Sequence, residues 1–128
     1  MVAKPSPQGR PSGTSPAVAI TDDFMQEMLS KRRPYTVVIL LRTSKRDAPG
    51  ADKIVWKHGR RNFELRRDGK VSIICPINTT EAVSGLCIFS TDLAETRRIM
   101  DDDPAVKAGV FTYEVYSTRS FPGDSLAA

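Results

Sequence analysis

The chain has 128 residues, a formal net charge of +4 and 40% hydrophobic residues, a size typical of one domain with a single core. Its longest apolar run, "YTVVILL", is far shorter than the roughly 18 residues that a membrane-spanning helix requires. The two cysteines, Cys75 and Cys87, lie in apolar segments without metal-ligand spacing. This pattern favours free thiols and predicts a cytoplasmic protein without a metal site.

Residues 1–19 are rich in proline, glycine and serine and contain no aromatic side chain. Such a composition buries too little apolar surface to offset the entropy lost on ordering, so we expect a flexible N-terminal tail. The segment has neither the apolar stretch of a signal peptide nor the pattern of an amphipathic transit helix. We therefore expect one folded domain over residues 20–128, with its core in residues 35–117.

The first elements are a short amphipathic helix and an apolar strand. "TDDFMQEMLSKRR" offers Thr21 as an N-cap and two acids in the first turn, and Pro34 follows it. "YTVVILLR", residues 35–42, is rich in β-branched residues and predicts the first strand.

The remaining pattern predicts two further helices, one helical turn and three strands. Apolar residues recur at helical spacing in 51–68, which Gly69 ends. Two apolar segments separated by a polar stretch predict a hairpin, and Thr91 is expected to cap the helix after it. The predicted ranges are strands 70–77 and 84–90, helix 91–100, the one-turn helix 104–108 and strand 110–117.

After the leading helix the element order is β-α-β-β-α-β, which predicts an α+β, ferredoxin-like fold. In that fold a four-stranded antiparallel sheet carries its crossover helices on one face. The first strand is apolar on both faces, since Val37, Ile39 and Leu41 alternate with Val38 and Leu40. The face without helices needs an apolar cover. We expect a homodimer through the sheet faces, with the leading helix as the alternative cover.

One histidine and a run of three aspartates raise the question of a catalytic pair. His58 is the only histidine and lies one turn after Ile54 and Val55, on the edge of the helix that packs toward the sheet. The aspartates, 101–103, follow a predicted helix, where carboxylates oppose the helix dipole. Asp103 precedes Pro104 and can instead cap the next turn. Either His58 is a satisfied core residue and Asp103 only a cap, or the two form an acid–base pair.

The order of motifs resembles the YCII-related (YciI-like) family of the dimeric α+β barrel type. The resemblance rests on "YTVVILL", the lone histidine early in the first crossover helix, a "DG" turn into a strand ending at Pro76, "GLCIF" and "DDPAVKAGVFTYEV". It covers roughly residues 35–117. The chain departs from the family at Cys75-Pro76, where Gly-Pro is usual, so we expect a narrower pocket at that point.

The resemblance implies a dimeric α+β barrel with a histidine–aspartate pair in a cleft. Carried over residue by residue, the pair is His58 and Asp103, and nothing else is carried over as catalytic. One branch of the family is similar to a dehydrochlorinase, and related barrels include muconolactone isomerase and small monooxygenases. The resemblance therefore implies a lyase or an isomerase, although most family members are uncharacterised.

The residues around His58 suggest what such an enzyme would bind. Arg60 and Arg61 are expected to meet a small anionic organic ligand, and Trp56 and Tyr113 its apolar or aromatic body. Trp56 lies two positions from His58 and points away from it on a helix, so it is equally a candidate surface or dimer anchor. The sequence has no dinucleotide, phosphate-loop or metal motif, so we expect no cofactor. The expected chemistry is proton transfer or elimination on a small oxygenated acid.

Two alternatives remain open at the level of sequence. The protein could be a homodimer that binds a small ligand without catalysis. Alternatively, the basic segment 53–70, with seven basic residues against two acids, could bind nucleic acid. RNA-binding sheets present exposed aromatic side chains on their strands, whereas the first and third strands here offer only Tyr35 and Phe89. Nucleic acid is therefore the disfavoured partner.

Overall fold

A computed structural model describes residues 17–128. The described residues form two compact units, one of residues 34–119 and one of residues 17–33 with 120–128. Residues 1–16 of the predicted tail, 1–19, lie outside the described residues. Residues 17–19 are exposed and belong to no helix or strand.

Every predicted helix and strand within 17–128 is present, with bounds that differ by a few residues. A 3-10 helix, Ser44–Asp47, interrupts the predicted loop after the first strand, and the last strand runs three residues beyond its predicted end. The elements are α1 Asp22–Ser30, β1 Arg33–Arg42, α2 Ala51–Arg67, β2 Val71–Pro76, β3 Val83–Phe89, α3 Leu93–Asp101, α4 Pro104–Lys107 and β4 Phe111–Ser120.

Helix α1 belongs to the smaller unit and begins as its sequence predicts. The hydroxyl oxygen of Thr21 accepts a hydrogen bond from the backbone N–H of Phe24, which confirms the predicted N-cap. No residue of α1 is buried. Within residues 17–128, none of the helices combines the length and apolar character needed to cross a bilayer.

The larger unit is built on a four-stranded antiparallel sheet with strand order β2-β3-β1-β4. Strand β3 pairs antiparallel with both β1 and β2, so the predicted hairpin of the second and third strands is confirmed. The predicted α+β class with a four-stranded antiparallel sheet is confirmed too, and the strand order is compatible with a ferredoxin-like fold.

The sheet buries one face under the helices. Thr36, Val38 and Leu40 of β1 are buried, and Phe89 of β3 lies opposite Thr36 on the same face. Each buried apolar side chain removes surface from water, which is the main driving force for the packing. The helices add further apolar side chains to this core: Ile54, Val55 and Leu65 of α2, Ile99 and Met100 of α3, and Ala105 of α4.

The other face of the sheet is also apolar, as the first strand predicts. Val37 and Ile39 of β1 are half-buried and pair with Ile88 and Leu86 of β3. Side chains of directly paired residues lie on the same face of a sheet, so these four form one apolar patch. We call these four residues the open face.

Helix α3 begins at Leu93, two residues after its predicted start, and Asp92 rather than Thr91 is its N-cap. The carboxylate of Asp92 accepts a hydrogen bond from the backbone N–H of Glu95 at 2.8 Å. The hydroxyl of Thr91 instead pairs with that of buried Thr96 at 2.7 Å, and its carbonyl accepts from Thr36. The prediction that Thr91 caps α3 was wrong. Threonine and aspartate are both good N-caps, and here Thr91 forms the tertiary contacts that connect α3 with β1.

Replacing Asp92 by alanine is expected to lower the free energy of unfolding by about 1 kcal/mol, because a cap acceptor is lost. Urea denaturation followed by circular dichroism would measure it. The matched control is Asp23→Ala, which removes a first-turn carboxylate of α1 but no cap, and should cost only a few tenths of a kcal/mol. Equal effects of the two substitutions would contradict the assignment of Asp92 as the cap.

Candidate functional site

The site is centred on His58, which α2 presents to the interior. His58 follows Ile54 by one helical turn, so the same helix face that packs on the sheet carries the imidazole inward. The residue is 8% exposed. Its ring lies 5.3 Å from the ring of Phe111 at an interplanar angle of 60°, a tilted arrangement that is favourable for aromatic rings.

Asp103 uses its two carboxylate oxygens for two different purposes. Its Oδ1 lies 2.9 Å from Nδ1 of His58. Its Oδ2 accepts hydrogen bonds from the backbone N–H groups of Ala105 and Val106 at the start of α4. The cap that the sequence predicts is therefore confirmed, and the contact with His58 exists beside it. The cap holds the carboxylate still while its other oxygen faces the imidazole.

The contact determines which ring nitrogen carries hydrogen. Burial alone opposes ionisation of Asp103, which is 1% exposed. The interaction with His58 and the hydrogen bonds from Ala105 and Val106 outweigh that effect, so the pKa of the Asp103 carboxyl lies below its ordinary value. An ionised carboxylate only accepts hydrogen bonds, so Nδ1 of His58 donates to Asp103. In the neutral ring Nε2 then keeps its lone pair.

Asn62 supplies the partner of the second ring nitrogen. Its amide nitrogen lies 3.3 Å from Nε2 of His58, one turn further along α2. With the lone pair on Nε2, the amide donates to the ring. Sequence reasoning missed Asn62 as a site residue, although the i, i+4 spacing from His58 on a helix was a usable signal.

A cavity of about 230 Å³ lies between α2 and the sheet, and both His58 and Asn62 line it. Its remaining wall is almost entirely apolar. The side chains include Val38, Leu40, Val55, Ile74, Phe89, Met100 and Phe111. Phe63 also lines the cavity and is 58% exposed, so this side chain lies where the cavity meets solvent. A small molecule that enters this cavity is therefore within reach of the imidazole.

Strands β2 and β3 complete the cavity. Cys75 and Pro76, where the family resemblance expects Gly-Pro, are both in the wall, as are Gly85 and Cys87. Burial raises the pKa of the Cys87 thiol to about 11, so this thiol is protonated near neutral pH and is a poor nucleophile. Among residues 17–128, no group of three or more histidine, cysteine or acidic residues is placed to hold a metal ion.

Arg61, one of the predicted ligand-binding residues, lies against the aspartate run. Its Nη1 is 3.6 Å from Oδ1 of Asp103, and its Nη2 is 3.8 Å from Oδ2 of Asp102. Nη1 is buried and makes no hydrogen bond. Arg61 is not among the cavity-lining residues. It therefore adds positive charge beside Oδ1 of Asp103, the carboxylate oxygen that faces His58.

Tyr113 forms a hydrogen bond with another of the three consecutive aspartates. Its hydroxyl donates to Oδ1 of Asp101 at 2.6 Å. Partial burial and this hydrogen bond raise the pKa of Tyr113 to about 12. Asp102 in turn lies 2.7 Å from Nζ of Lys107. Each of the three consecutive carboxylates thus has its own partner, and the two at the end of α3 are compensated by a hydroxyl and an ammonium group.

Trp56 and Arg60, the remaining predicted ligand-binding residues, lie on the outer side of α2. Trp56 is 72% exposed. Both line a shallow groove on that surface and neither lines the cavity of His58. Of the six predicted site residues, the structure brings together His58, Asp103 and Arg61, and it places Trp56, Arg60 and Tyr113 elsewhere. Ligand binding by the four residues Trp56, Arg60, Arg61 and Tyr113 stays a prediction.

The chain matches no protein-family model and none of the curated proteins searched.

The Asp103 site makes a testable contribution to stability. In Asp103→Asn, the amide oxygen can still accept from the N–H groups of Ala105 and Val106, but the negative charge is lost and an amide N–H faces Nδ1 of His58, so we expect a loss of about 2 kcal/mol at pH 7. A carboxyl whose pKa is lower in the folded chain stabilises fully above its unfolded value of about 3.9, and this contribution disappears as the pH falls through the folded value. The difference between wild type and variant should therefore shrink in acid.

Urea denaturation at pH 7, 5 and 3 would measure this difference. Asp102→Asn is the matched control, because Asp102 is an exposed carboxylate whose pKa is also lowered, by Lys107. Solvent screens that pair, so its substitution should change stability far less than that of Asp103 at any pH. A deficit of Asp103→Asn that is independent of pH would contradict the role assigned to the charge.

Proposed function

We propose that this protein is a small cofactor-free enzyme, a lyase or an isomerase. It uses His58 as a general base and acid, with Asp103 as the residue that positions it. The observation that carries the proposal is the hydrogen bond from Nδ1 of His58 to Oδ1 of Asp103 at the wall of an apolar cavity. The resemblance to the YCII-related family and its ferredoxin-like, dimeric α+β barrel fold supports the same assignment.

The arrangement suits proton transfer at carbon. Asp103 fixes the ring so that the lone pair of Nε2 is the basic one. Nε2 removes a proton from a carbon next to a carbonyl group, and the electron pair of that C–H bond moves to the carbonyl as an enolate. In an isomerase the same proton returns to another carbon. In a lyase the electron pair expels a leaving group from the adjacent carbon, and His58 retains the proton until solvent removes it.

Asn62 is suited to both states of the ring in this cycle. Its amide nitrogen donates to Nε2 of the neutral ring at 3.3 Å. After a half-turn of the amide group, its carbonyl oxygen would accept from the N–H of the protonated ring. The donation to Nε2 ends when the substrate C–H group approaches that lone pair, so Asn62 moves aside for the transfer and can then stabilise the protonated ring.

The cavity defines a class of substrate. A cavity of about 150 Å³ is known to hold benzene, so the present one, at about 230 Å³, accommodates one substituted ring or a short branched chain. Its lining contains no arginine or lysine. The cavity therefore suits the apolar body of the proposed small oxygenated acid, with or without an aromatic ring, and a polar group beside the reacting carbon would meet His58 and Asn62. Binding of the acid's carboxylate by Arg60 or Arg61 stays a prediction, because neither residue lines the cavity.

The open face supports the proposal that the enzyme is a homodimer. Val37, Ile39, Leu86 and Ile88 form a half-buried apolar patch on the sheet face opposite the helices. A second copy of the same sheet would remove this patch from water. The alternative function, a ligand-binding homodimer without catalysis, has the same cavity and the same dimer, and differs only in the reactivity of His58.

Exchange of carbon-bound hydrogen for deuterium tests the proposed chemistry without knowledge of the product. Small keto, lactone and phenolic acids would be incubated in D₂O with the protein, and loss of the C–H signals followed by proton NMR. We expect catalysed exchange in at least one acid. His58→Gln, which removes the base, should slow it by roughly 100-fold or more. Lys57→Gln, a neighbouring exposed position, is the matched control and should leave exchange unchanged.

A second variant tests whether the reaction occurs in the cavity. Gly85→Val adds side-chain atoms to the cavity wall, and its Cβ would make only ordinary contacts, 3.4 Å from the carbonyl oxygen of Cys75. We expect it to fold and to lose both ligand binding and exchange. Acids that bind wild type in the cavity without any exchange would favour the non-catalytic alternative. Exchange that survives in both His58→Gln and Gly85→Val would contradict the proposed site.

The proposed sheet interface predicts an effect of charge on the open face. Ile39→Lys should halve the particle mass measured by light scattering, because a cation cannot be buried between two apolar sheets without a partner. Ala94→Lys, an exposed position on α3, is the control and should leave the mass unchanged. An unchanged mass in a folded Ile39→Lys protein would contradict the sheet interface.

A further inference from the structure

The outer surface of α2 exposes two large aromatic side chains that the proposed reaction does not use. Trp56 is 72% exposed and Phe63 is 58% exposed. With 3.6 residues per turn, Asp52, Trp56, Gly59, Phe63 and Arg67 fall within about 80° of the helix circumference. The centre of this strip lies about 140° around the helix from His58, and all five residues line one shallow groove. We call these five residues the outer strip.

The outer strip is arranged symmetrically about the middle of the helix. Trp56 lies three residues before Gly59, and Phe63 lies three residues after Arg60. Asp52 lies seven residues before Gly59, and Arg67 lies seven residues after Arg60. Two antiparallel copies of the helix that meet at this midpoint would place each Trp56 against Phe63 of the partner subunit and each Asp52 against Arg67 of the partner subunit. The pairing is aromatic at the inner positions and of opposite charge at the outer ones.

The midpoint itself is built for close approach. Gly59 lies in the interior of a 17-residue helix, where glycine is unfavourable, and no atom lies within 4 Å of the position that a Cβ would take there. The fold of the single chain therefore does not require glycine at this position. At a crossing of two helices, in contrast, a missing side chain lets the backbones come together.

We propose that the outer strip of α2 is a two-fold symmetric interface with a second copy of this chain, in which the two α2 helices cross antiparallel at Gly59. Asp52 and Arg67 already pair within the chain, with Arg46 and Asp68, at highly exposed positions. Exposed pairs of this kind are weak, so exchanging partners costs little. The aromatic pairs are the anchors of the interface, and the charges set its antiparallel direction.

This interface is separate from the proposed sheet interface, and it also adjoins the cavity. Val55, Gly59 and Phe63 line both the groove on α2 and the cavity of His58. A partner helix on the outer strip would bring Trp56 of the partner subunit against Phe63, at the side chain where the cavity meets solvent. Combined with the sheet dimer, a second isologous contact would produce a tetramer.

Fluorescence reports directly on the proposed contact, because Trp56 is the only tryptophan in the chain. We expect its emission to shift to shorter wavelength as the protein concentration rises and the indole leaves water. Gly59→Leu should abolish the shift and halve the particle mass measured by light scattering, without lowering thermal stability. Trp56→Ser is a second variant at an exposed position and should halve the mass in the same way. Lys57→Ser, outside the strip, should do neither.

Charge reversal distinguishes this interface from any other. Asp52→Lys and Arg67→Glu should each weaken the assembly, and the double variant should restore it. Residues 52 and 67 are about 22 Å apart along one helix, so such a rescue requires pairing between subunits. The same measurements in an Ile39→Lys background isolate this interface from the sheet. Concentration-independent emission with equal masses for wild type and Gly59→Leu, or a double variant as weak as the single ones, would overturn the proposal.

Discussion

The hydrogen bond between His58 and Asp103 joins two parts of the chain that are 45 residues apart. It connects the middle of α2 with the junction of α3 and α4, and so fixes the position of the end of α3 relative to α2. A buried carboxylate that is 1% exposed is costly unless it is fully paired. Here the imidazole and two backbone N–H groups satisfy it, and Arg61 adds a positive charge at 3.6 Å. The position of the cavity follows from this junction.

The two carboxylate oxygens of Asp103 have different partners, so this one residue both caps α4 and positions the imidazole. A side chain held by a single contact would retain several rotamers, whereas a carboxylate that also caps a helical turn has one orientation. The backbone N–H groups that it accepts from are those that α4 leaves without partners at its first turn. The same requirement that starts α4 therefore pre-orients the imidazole before any ligand enters the cavity.

The surroundings of the pair determine what it can do. The cavity wall is apolar, so a charge that develops on a bound molecule would be felt strongly by the few polar groups present, His58 and Asn62. Two other ionisable groups, Cys87 and Tyr113, stay protonated near neutral pH. The thiol of Cys87 has a pKa of about 11, and the hydroxyl of Tyr113 has a pKa of about 12. His58 is therefore the group on which we place the proposed proton transfer.

The sequence by itself determined the elements and the fold class, because hydrophobic period, caps and turn residues are local signals. The helix over 51–67, the hairpin and the cap at Asp103 could all be read from neighbouring residues. The N-cap of α3 could not be read in this way, since both Thr91 and Asp92 can cap a helix. The contact of Thr91 with Thr36 decided in favour of Asp92. Only the tertiary structure placed the imidazole beside the carboxylate and brought the hydroxyl of Tyr113 to Asp101. These positions depend on how helices pack across the sheet, and contacts between distant residues leave no periodic trace in the chain.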